Sequence, residues 1–351
     1  ANLKEAEVLA ARLVDRPRLS QVLYWLGRLN YGVAKHDVGI EYAHKALELA
    51  DKLGDEALQA PPVNLLGRAH FLRGEAEKAS KLLARNVRQM RALGNRIEEA
   101  TASGFLGMCY GMLGRFAQAI EVCDSGIQIA EGIEHPPTLA ACLQYRGQVR
   151  SWRGDRGSLE DYGRALELAE KGGDVFRAYI IRANRGGWGH LLLGEYGPAI
   201  EDLTRALSLA ERLGVRFFVG AWNGGLAEAH LGIGNVVEAL RLAREGLRIA
   251  NESGSPWEQL IAFRTLAQAL LAQDPPDVPG AEEAMAAALS IQDKIDMKWE
   301  SAQSLLVYGR VLGAKGEGER AREVLARAGR LFEEMEVAWG TERVERALRD
   351  L

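Results

Sequence analysis

Apolar residues in this chain recur every three to four positions, which is the spacing of one face of an α-helix. In the segment IEYAHKALELADKLGD, the residues Ile40, Ala43, Ala46, Leu47 and Ala50 share such a face. Segments of this kind alternate with short stretches that contain glycine, asparagine or aspartate. The pattern therefore predicts helices joined by tight turns and short loops.

One small residue returns at an interval of forty positions along the chain. The stretch FLGMCYGMLGRFAQAI (residues 105–120), taken alone, has the glycine content of a phosphate-binding loop. Such a loop does not recur eight times, so the glycines mark an internal repeat. We call these sites the ladder positions, and they are Gly27, Gly67, Gly107, Gly147, Gly187, Ala227, Ala267 and, two residues late, Gly309.

Each forty-residue unit is predicted to be a helical hairpin, with helix A, a turn, helix B and a loop to the next unit. Residues suited to cap a helix stand twelve or thirteen positions before several ladder positions, and they are Asp15, Asp55, Asn95, Asp174 and Ser255. Small residues stand seven positions after most ladder positions and predict the turn, and they are Ala34, Gly74, Gly114, Gly154, Gly194, Gly234 and Gly316.

The ladder glycines indicate close packing between helices A and B. Glycine inside a helix costs about 1 kcal/mol relative to alanine, so its recurrence implies a place where no side chain fits. Small residues twelve positions later supply the other half of that contact, and they are Gly39, Ala79, Ala119, Ala199, Ala239 and Ala321. A single hairpin cannot bury both of its faces, so the units must stack into one continuous solenoid.

The expected domain organisation is a single solenoid over residues 1–351. The segment from Asn2 to Val14 aligns as a helix B without its helix A, so we expect the chain to begin inside an array and to be excised from a longer protein. The predicted segments are a partial repeat at 1–15, units 16–54, 55–94, 95–134, 135–173, 174–214, 215–254, 255–296 and 297–338, and a C-terminal helix at 339–351.

Two units depart from the regular spacing. The fourth is one residue short between Gly154 and Ala169, and an extra residue reappears before Gly187, so we expect a distorted hairpin there. The seventh contains DPPDVPG, from Asp274 to Gly280, whose prolines predict a loop.

The pattern resembles the tetratricopeptide repeat over nearly the entire chain. The small residues at the eighth, twentieth and twenty-seventh positions of that family match Gly27, Gly39 and Ala46 in the first unit and their equivalents in later ones. The usual repeat has 34 residues. Longer repeats resemble the C-terminal arrays of bacterial STAND-type signalling ATPases, including arrays fused to adenylate cyclase or helix-turn-helix domains. The resemblance implies an all-α, right-handed superhelical solenoid of about eight antiparallel hairpins.

Composition narrows the possible partners. The chain has 44 basic and 48 acidic residues and a formal charge of -4, so nothing favours nucleic acid or an anionic membrane as a partner. Its three cysteines are too few for a disulfide framework or a CxxC metal site. No transmembrane-length apolar run and no secretory signal occur. We therefore expect a cytoplasmic protein.

The sequence gives little support to a catalytic or cofactor-binding function. The sequence from Gly316 to Ala321 spells GxGxxA, but it joins two helices and presents two glutamates, so a hairpin turn is favoured over a nucleotide loop. His70, His190 and His230 each follow a ladder position by three residues. Stacked units lie roughly 10 Å apart, so these histidines cannot share one metal ion and are expected to pack between helices. We expect no enzyme activity, metal or cofactor.

Adjacent carboxylates are a further candidate for acid–base chemistry. The pairs Glu98-Glu99 and Glu282-Glu283 are neighbours in sequence, so their side chains point about 100° apart on a helix. We expect both pairs to be solvated surface.

The family resemblance implies a concave groove lined by helix A, at positions three and two before and one and four after the ladder residue. The residues selected as candidate ligand contacts are Tyr24, Arg28, Asn64, Arg68, Met108, Gln144, Gln148, Asn184, Trp188, Arg264, Gln268 and Arg310.

The composition of this groove favours a protein or peptide ligand. Arginine and aromatic residues dominate interface hot spots, and side-chain amides bond an extended backbone. The alternative to ligand contact is packing between adjacent helices, and it applies especially to Trp25, Phe105 and Tyr145. Arg28 and Arg68 occupy equivalent sites one unit apart, which suggests an acidic or carboxylate-bearing ligand.

The resulting hypothesis is a non-catalytic scaffold that binds a peptide or protein segment in its groove, as the sensor part of a larger bacterial signalling protein. The alternative is a small-molecule sensor that controls an attached ATPase, cyclase or DNA-binding domain. Self-association stays open.

Overall fold

The computed structural model describes residues 2–12, 15–32 and 35–351. Over these ranges the chain is 84% helical, with 18 α-helices and no strand, which confirms the predicted fold class. The helices are α1 (Asn2–Arg12), α2 (Arg16–Gly32), α3 (His36–Leu53), α4 (Glu56–Leu72), α5 (Ala76–Ala92), α6 (Arg96–Met112), α7 (Phe116–Gly132), α8 (Pro136–Arg153), α9 (Gly157–Lys171), α10 (Val175–Asn184), α11 (Tyr196–Leu213), α12 (Val219–Gly232), α13 (Val236–Ser253), α14 (Pro256–Leu271), α15 (Val278–Gln292), α16 (Lys298–Ala314), α17 (Gly318–Glu334) and α18 (Ala338–Arg349).

Consecutive helices pack against one another throughout the chain. The even-numbered helices from α2 to α16 are the A helices, and each packs on the odd-numbered B helix that follows it. A helices also contact the next A helix, as α6 contacts α8 and α12 contacts α14. This pattern of neighbours is that of a helical solenoid.

Several ladder glycines are close approaches between helices A and B, but in the fifth unit Gly186 makes this contact, with Ala199 and Leu203, and Gly187 faces Trp222 of the next A helix. A Cβ atom added to Gly107 would lie 2.9 Å from the carbonyl oxygen of Ala119 on the facing helix. A Cβ atom at Gly67 would lie 2.7 Å from Cγ of Leu83. Real Cβ atoms do not approach other atoms so closely, so glycine is required at these sites.

The predicted A–B turns are present wherever they can be checked. Gly74 and Gly114 have φ angles of 84° and 78°, in the left-handed region that favours glycine. The predicted turn residue Ala34 lies outside the described residues. At the helix starts, the carboxylate of Asp55 accepts hydrogen bonds from the backbone N–H groups of Ala57 and Leu58, as a cap should.

The distortion that the spacing predicts for the fourth unit is shared between the fourth and fifth units. Helix α9 is short, with 15 residues. The extra residue before Gly187 is absorbed by a π-helical turn, Arg185–His190, that directly continues α10. A π-turn holds one more residue than an α-turn, so the helix regains its register without a break.

Two further expectations were wrong in detail. The DPPDVPG segment is not entirely a loop, because α15 begins at Val278 and Pro279 occupies its first turn, where a proline is tolerated. Glu99 is not solvated surface, because its side chain is fully buried and accepts hydrogen bonds from Arg91 at 2.8 Å and Arg96 at 2.6 Å.

The solenoid turns tightly enough for its late helices to contact its early ones. The hydroxyl of Ser255 donates to the carbonyl oxygen of Leu72 at 3.2 Å. The rings of Phe71 and Trp257 meet edge to face with centroids 5.1 Å apart. Aromatic side chains from the A helices therefore form one continuous core where early and late units meet.

Candidate functional site

The predicted groove residues all lie on A helices or on the π-helical turn, but their exposure differs along the solenoid. Arg28 and Arg310 are exposed, whereas Tyr24, Asn64, Arg68 and Gln268 are half-buried. The remaining six are buried, and they are Met108, Gln144, Gln148, Asn184, Trp188 and Arg264. The set therefore does not form one open strip.

Arg68 is the centre of a polar group on the early A helices. Its Nε donates to Oδ1 of Asn64 at 2.8 Å, and its Nη1 donates to the hydroxyl of Tyr145 at 3.3 Å. The guanidinium lies 4.5 Å from the centroid of the Phe105 ring, a cation–π distance. These contacts hold the guanidinium in a fixed orientation.

Arg177 belongs to the same group, although the family positions did not select it. It lies in the first turn of α10, and its Nη1 donates to Oε1 of Gln144 at 2.8 Å. Its charge also acts on the phenol of Tyr145. The sequence carried no signal for this, because Arg177 stands ten residues before Gly187, outside the four family positions. Arg28 donates to the hydroxyl of Tyr24 at 3.3 Å, and its charge acts with that of Arg68 on Tyr31. We call Arg28, Asn64, Arg68, Tyr145 and Arg177 the Arg68 cluster.

Two tyrosines report the electrostatic character of the cluster. Burial alone would raise the pKa of Tyr145, but the positive charges of Arg68 and Arg177 outweigh it and lower that pKa. Burial raises the pKa of Tyr31 to about 12, with Arg68 and Arg28 acting in the opposite direction. The arginine charges of the cluster therefore act on both phenols.

The carboxylate of Glu98 acts on Arg68 electrostatically but forms no ion pair with it. Across residues 2–12, 15–32 and 35–351, neither Arg28, Arg68 nor Arg177 forms an ion pair with Asp or Glu. Arg248, on a B helix, differs, because it pairs with Glu245 at 2.6 Å. Unpaired, partly desolvated guanidinium groups favour an anionic ligand.

The middle of the predicted groove is occupied by the protein itself. Nδ2 of Asn184 donates to Oε1 of Gln148 at 3.2 Å, so these buried amides satisfy one another between α8 and α10. Met108 and Trp188 belong to the aromatic core. These side chains stabilise the stacking of A helices in the present conformation.

The late predicted residues line a cavity of about 740 Å³ between the π-helical turn and helices α12, α14, α16 and α18. Trp188, Arg264, Gln268 and Arg310 are all in its wall. Arg264 is already neutralised, because its Nη1 lies 2.6 Å from Oε2 of buried Glu300. The predicted groove residues thus fall into two separate candidate sites, the Arg68 cluster and this cavity.

The three recurring histidines each interact with the residue five positions later, where helix B begins. Nδ1 of His190 lies 2.8 Å from Oε2 of Glu195, and Nδ1 of His70 lies 2.9 Å from Oε2 of Glu75. Among the described residues no group of three possible ligands is arranged to hold a metal ion. The histidines therefore join helices A and B at the turn.

In the described part of the chain, no helix is both long enough and apolar enough to cross a bilayer.

Comparison with known proteins identifies the repeat. Residues 59–132 match the family model of the tetratricopeptide repeat. This stretch extends from within α4 to the end of α7, which is nearly two hairpins. No curated protein matches the chain in sequence.

Solved structures match over far more of the chain. The Rap protein complexed with competence and sporulation factor is 15% identical, with a TM-score of 0.62, over 95% of this chain and 97% of that one. The STAND protein with a tetratricopeptide repeat sensor from Pyrococcus horikoshii is 16% identical, with a TM-score of 0.54, over 95% of this chain and 51% of that one. This chain therefore corresponds to about half of the STAND protein.

At these identities the structural matches show a shared fold alone, and the match to the STAND protein covers 51% of that protein. The family model places the tetratricopeptide repeat in residues 59–132, and the structural matches show that nearly the whole chain shares the fold of solved repeat proteins.

Proposed function

We propose that this solenoid is a non-catalytic scaffold that binds an acidic peptide or protein segment at the Arg68 cluster. The observation that carries the proposal is the set of three arginines without carboxylate ion pairs on the A helices α2, α4 and α10. Tetratricopeptide folds commonly mediate protein–protein interaction, which agrees with this assignment.

The chemistry of the cluster suits carboxylates. A guanidinium has five N–H donors, and Arg68 uses only part of them on Asn64 and Tyr145. Each charge-assisted hydrogen bond contributes about 1.5 to 3 kcal/mol. Two carboxylates bound by Arg28, Arg68 and Arg177 would therefore contribute a substantial part of a micromolar affinity, which corresponds to about 8 kcal/mol.

We propose a sensor role in a larger bacterial signalling protein, and two structural matches support the sensor role. The Rap structure was solved with a bound factor, and the repeats of the STAND protein are described as a sensor. We propose that the predicted hairpin units are one regulatory module and that the protein is cytoplasmic. The three buried cysteines, which are all free thiols, agree with a reducing compartment.

The test begins with a partner captured by the purified solenoid from the source cell and mapped to a peptide. Replacing Arg28 and Arg68 together by Ala should weaken binding of that peptide by about tenfold or more, because two charged contacts are lost. The matched control replaces Arg241 and Arg248, exposed arginines on helix α13 that pair with Glu238 and Glu245. If the control pair weakens binding and the Arg68 cluster pair does not, the proposed binding face is incorrect.

A second candidate function is small-molecule sensing. The observation that favours it is the cavity of about 740 Å³ that α18 helps to line.

A further inference from the structure

The late-unit cavity has the dimensions and walls of a small-molecule site. Its volume of about 740 Å³ falls within the range of roughly 300 to 1,000 Å³ that is common for ligand pockets. Four tryptophans contribute to the wall, which gives it a large aromatic surface, and they are Trp188, Trp222, Trp299 and Trp339.

Arg343, on α18, has no acceptor for its guanidinium. The group lies 4.8 Å from the centroid of the Trp339 ring. Within the described residues, Arg343 makes no hydrogen bond and no ion pair. Arg310 and Arg346 line the same cavity and are equally without a carboxylate partner in that part of the chain.

The acidic residues of the cavity wall do not form ion pairs with these arginines. Oε1 of Glu228 already accepts hydrogen bonds from Thr265 at 2.9 Å and from Gln268 at 3.3 Å. Glu342 and Asp350 are exposed, so solvent screens their charges. The donors of Arg343 therefore stay available.

Other unmatched groups of the wall are donors as well. Trp188 and Gln303 both line the cavity and are buried, and Trp188 Nε1 and Gln303 Nε2 have no hydrogen-bond acceptor. A ligand rich in acceptor atoms would match this wall, whereas a cationic ligand would not.

The arginines also act on one another. Burial lowers the pKa of Arg343, and the positive charges of Arg310 and Arg346 lower it further, while Glu228 and Tyr196 oppose them. An anion between these guanidinium groups would remove the repulsion and replace the lost solvation.

We propose that this cavity binds a small organic anion, with its apolar body against the tryptophans and its carboxylate or phosphate group on Arg310, Arg343 and Arg346. The site is separate from the Arg68 cluster and does not depend on peptide binding there. Because two of the three arginines belong to α18, the ligand would join the last helix to the inner helices of the solenoid.

The probes are naphthyl phosphate and naphthoate, with naphthalenemethanol as the neutral analogue of the same shape. Isothermal titration calorimetry gives the affinities, and quenching of tryptophan fluorescence reports binding near the indoles. We expect at least one anion to bind about tenfold or more tightly than the alcohol, and the stronger anion identifies phosphate or carboxylate chemistry. Equal affinity for the alcohol, or no binding of either anion, would overturn the proposal.

Variants locate the site. Replacing Arg310 and Arg343 together by Gln should weaken binding of the preferred anion by about tenfold or more, whereas Arg343→Lys, which keeps the charge, should weaken it less. The control replaces Arg327 and Arg330, exposed residues of α17, by Gln and should leave the affinity unchanged. The Arg28→Ala, Arg68→Ala double variant should also bind the anion normally, which separates this site from the proposed peptide site. An equal loss in either control would overturn the assignment.

Discussion

The indole N–H of Trp299 donates a hydrogen bond to the backbone carbonyl oxygen of Trp152 at 3.1 Å. The two residues are 147 positions apart in sequence, on α16 and α8, and their ring centroids are 5.7 Å apart. Both side chains are almost completely buried. This contact joins the fourth and eighth A helices. The solenoid therefore curves enough over four units to bring these two helices together.

Loss of this aromatic contact should destabilise the whole solenoid. We expect Trp299→Ala to lower the free energy of unfolding by about 3 to 5 kcal/mol, because a large buried side chain leaves a cavity. Urea unfolding followed by circular dichroism measures the change. Trp25→Ala is the control, because Trp25 is 52% exposed. Equal stability of the two variants would show that the late and early units do not pack together in solution.

The ladder glycines should not tolerate a side chain. We expect Gly107→Leu to cost about 1 to 3 kcal/mol, because the new atoms would enter the contact with Ala119 and Cys123. Gly132→Leu is the matched control, since a Cβ atom there would meet nothing within 4 Å. Thermal unfolding of both variants gives the comparison. Wild-type stability of the Gly107 variant would mean that this site is not a helix contact.

The buried ion pair of Arg264 and Glu300 should matter more than any surface pair. Glu300→Gln leaves the Arg264 guanidinium buried without a counter-charge, so we expect a loss of about 3 to 5 kcal/mol. Glu238→Gln, which breaks the exposed pair with Arg241, should cost about 0 to 1 kcal/mol. Chemical denaturation measures both, and a small effect at Glu300 would show that water reaches this pair.

Glu258 should make stability depend on pH. Burial raises its pKa from 4.5 to about 8, although backbone N–H groups of Gly220, Phe218 and Ala221 act in the opposite direction. The folded chain therefore binds a proton that the unfolded chain releases at a lower pH. The contribution of Glu258 to stability is fully present below the unfolded pKa of 4.5 and is lost as the pH rises through about 8.

We expect Glu258→Gln to flatten this part of the pH profile and to stabilise the protein above the folded pKa by on the order of a few kcal/mol. Melting temperatures measured across this pH range provide the test. Glu319→Gln, a change at an exposed residue in the first turn of α17, is the control. A profile for the Glu258 variant that follows the wild type would show that the folded protein holds this carboxyl in its ionised form.

Arg177 should contribute to peptide binding at the Arg68 cluster. Arg177→Gln removes a positive charge close to Tyr145 but keeps a side chain able to bond Gln144. We expect the affinity for an acidic partner peptide to fall by about tenfold, as for one lost charge-assisted hydrogen bond. Arg205→Gln is the control, because Arg205 is exposed on α11 and pairs with Glu201. An unchanged affinity would remove Arg177 from the proposed site.

Much of the fold could be predicted because its causes are local. Helix starts follow from caps such as Asp55, and turns follow from glycines such as Gly114 with a left-handed φ angle. The ladder recurs because most hairpins repeat a close A–B contact, as at Gly67 and Gly107. The π-helical turn at Arg185–His190 was foreseen only as an extra residue, since spacing alone does not show which helix absorbs it.

The candidate site could be predicted only in part. The family positions selected Arg28 and Arg68, whose side chains the structure places on early A helices without carboxylate partners. The same positions also selected Gln148 and Asn184, which the structure buries in contact with each other. Position on a helix face gives the direction of a side chain, but not whether another unit covers it.

The sequence by itself determined the helical class and the hairpin repeat, because these depend on spacing within one or two units. The tertiary structure decided how tightly the units wind. The small rotation between neighbouring repeats adds up along the chain. Only this accumulated rotation brings Trp299 to Trp152 and α18 against α12, α14 and α16. It therefore decided which arginines remain unpaired and where a cavity stays open.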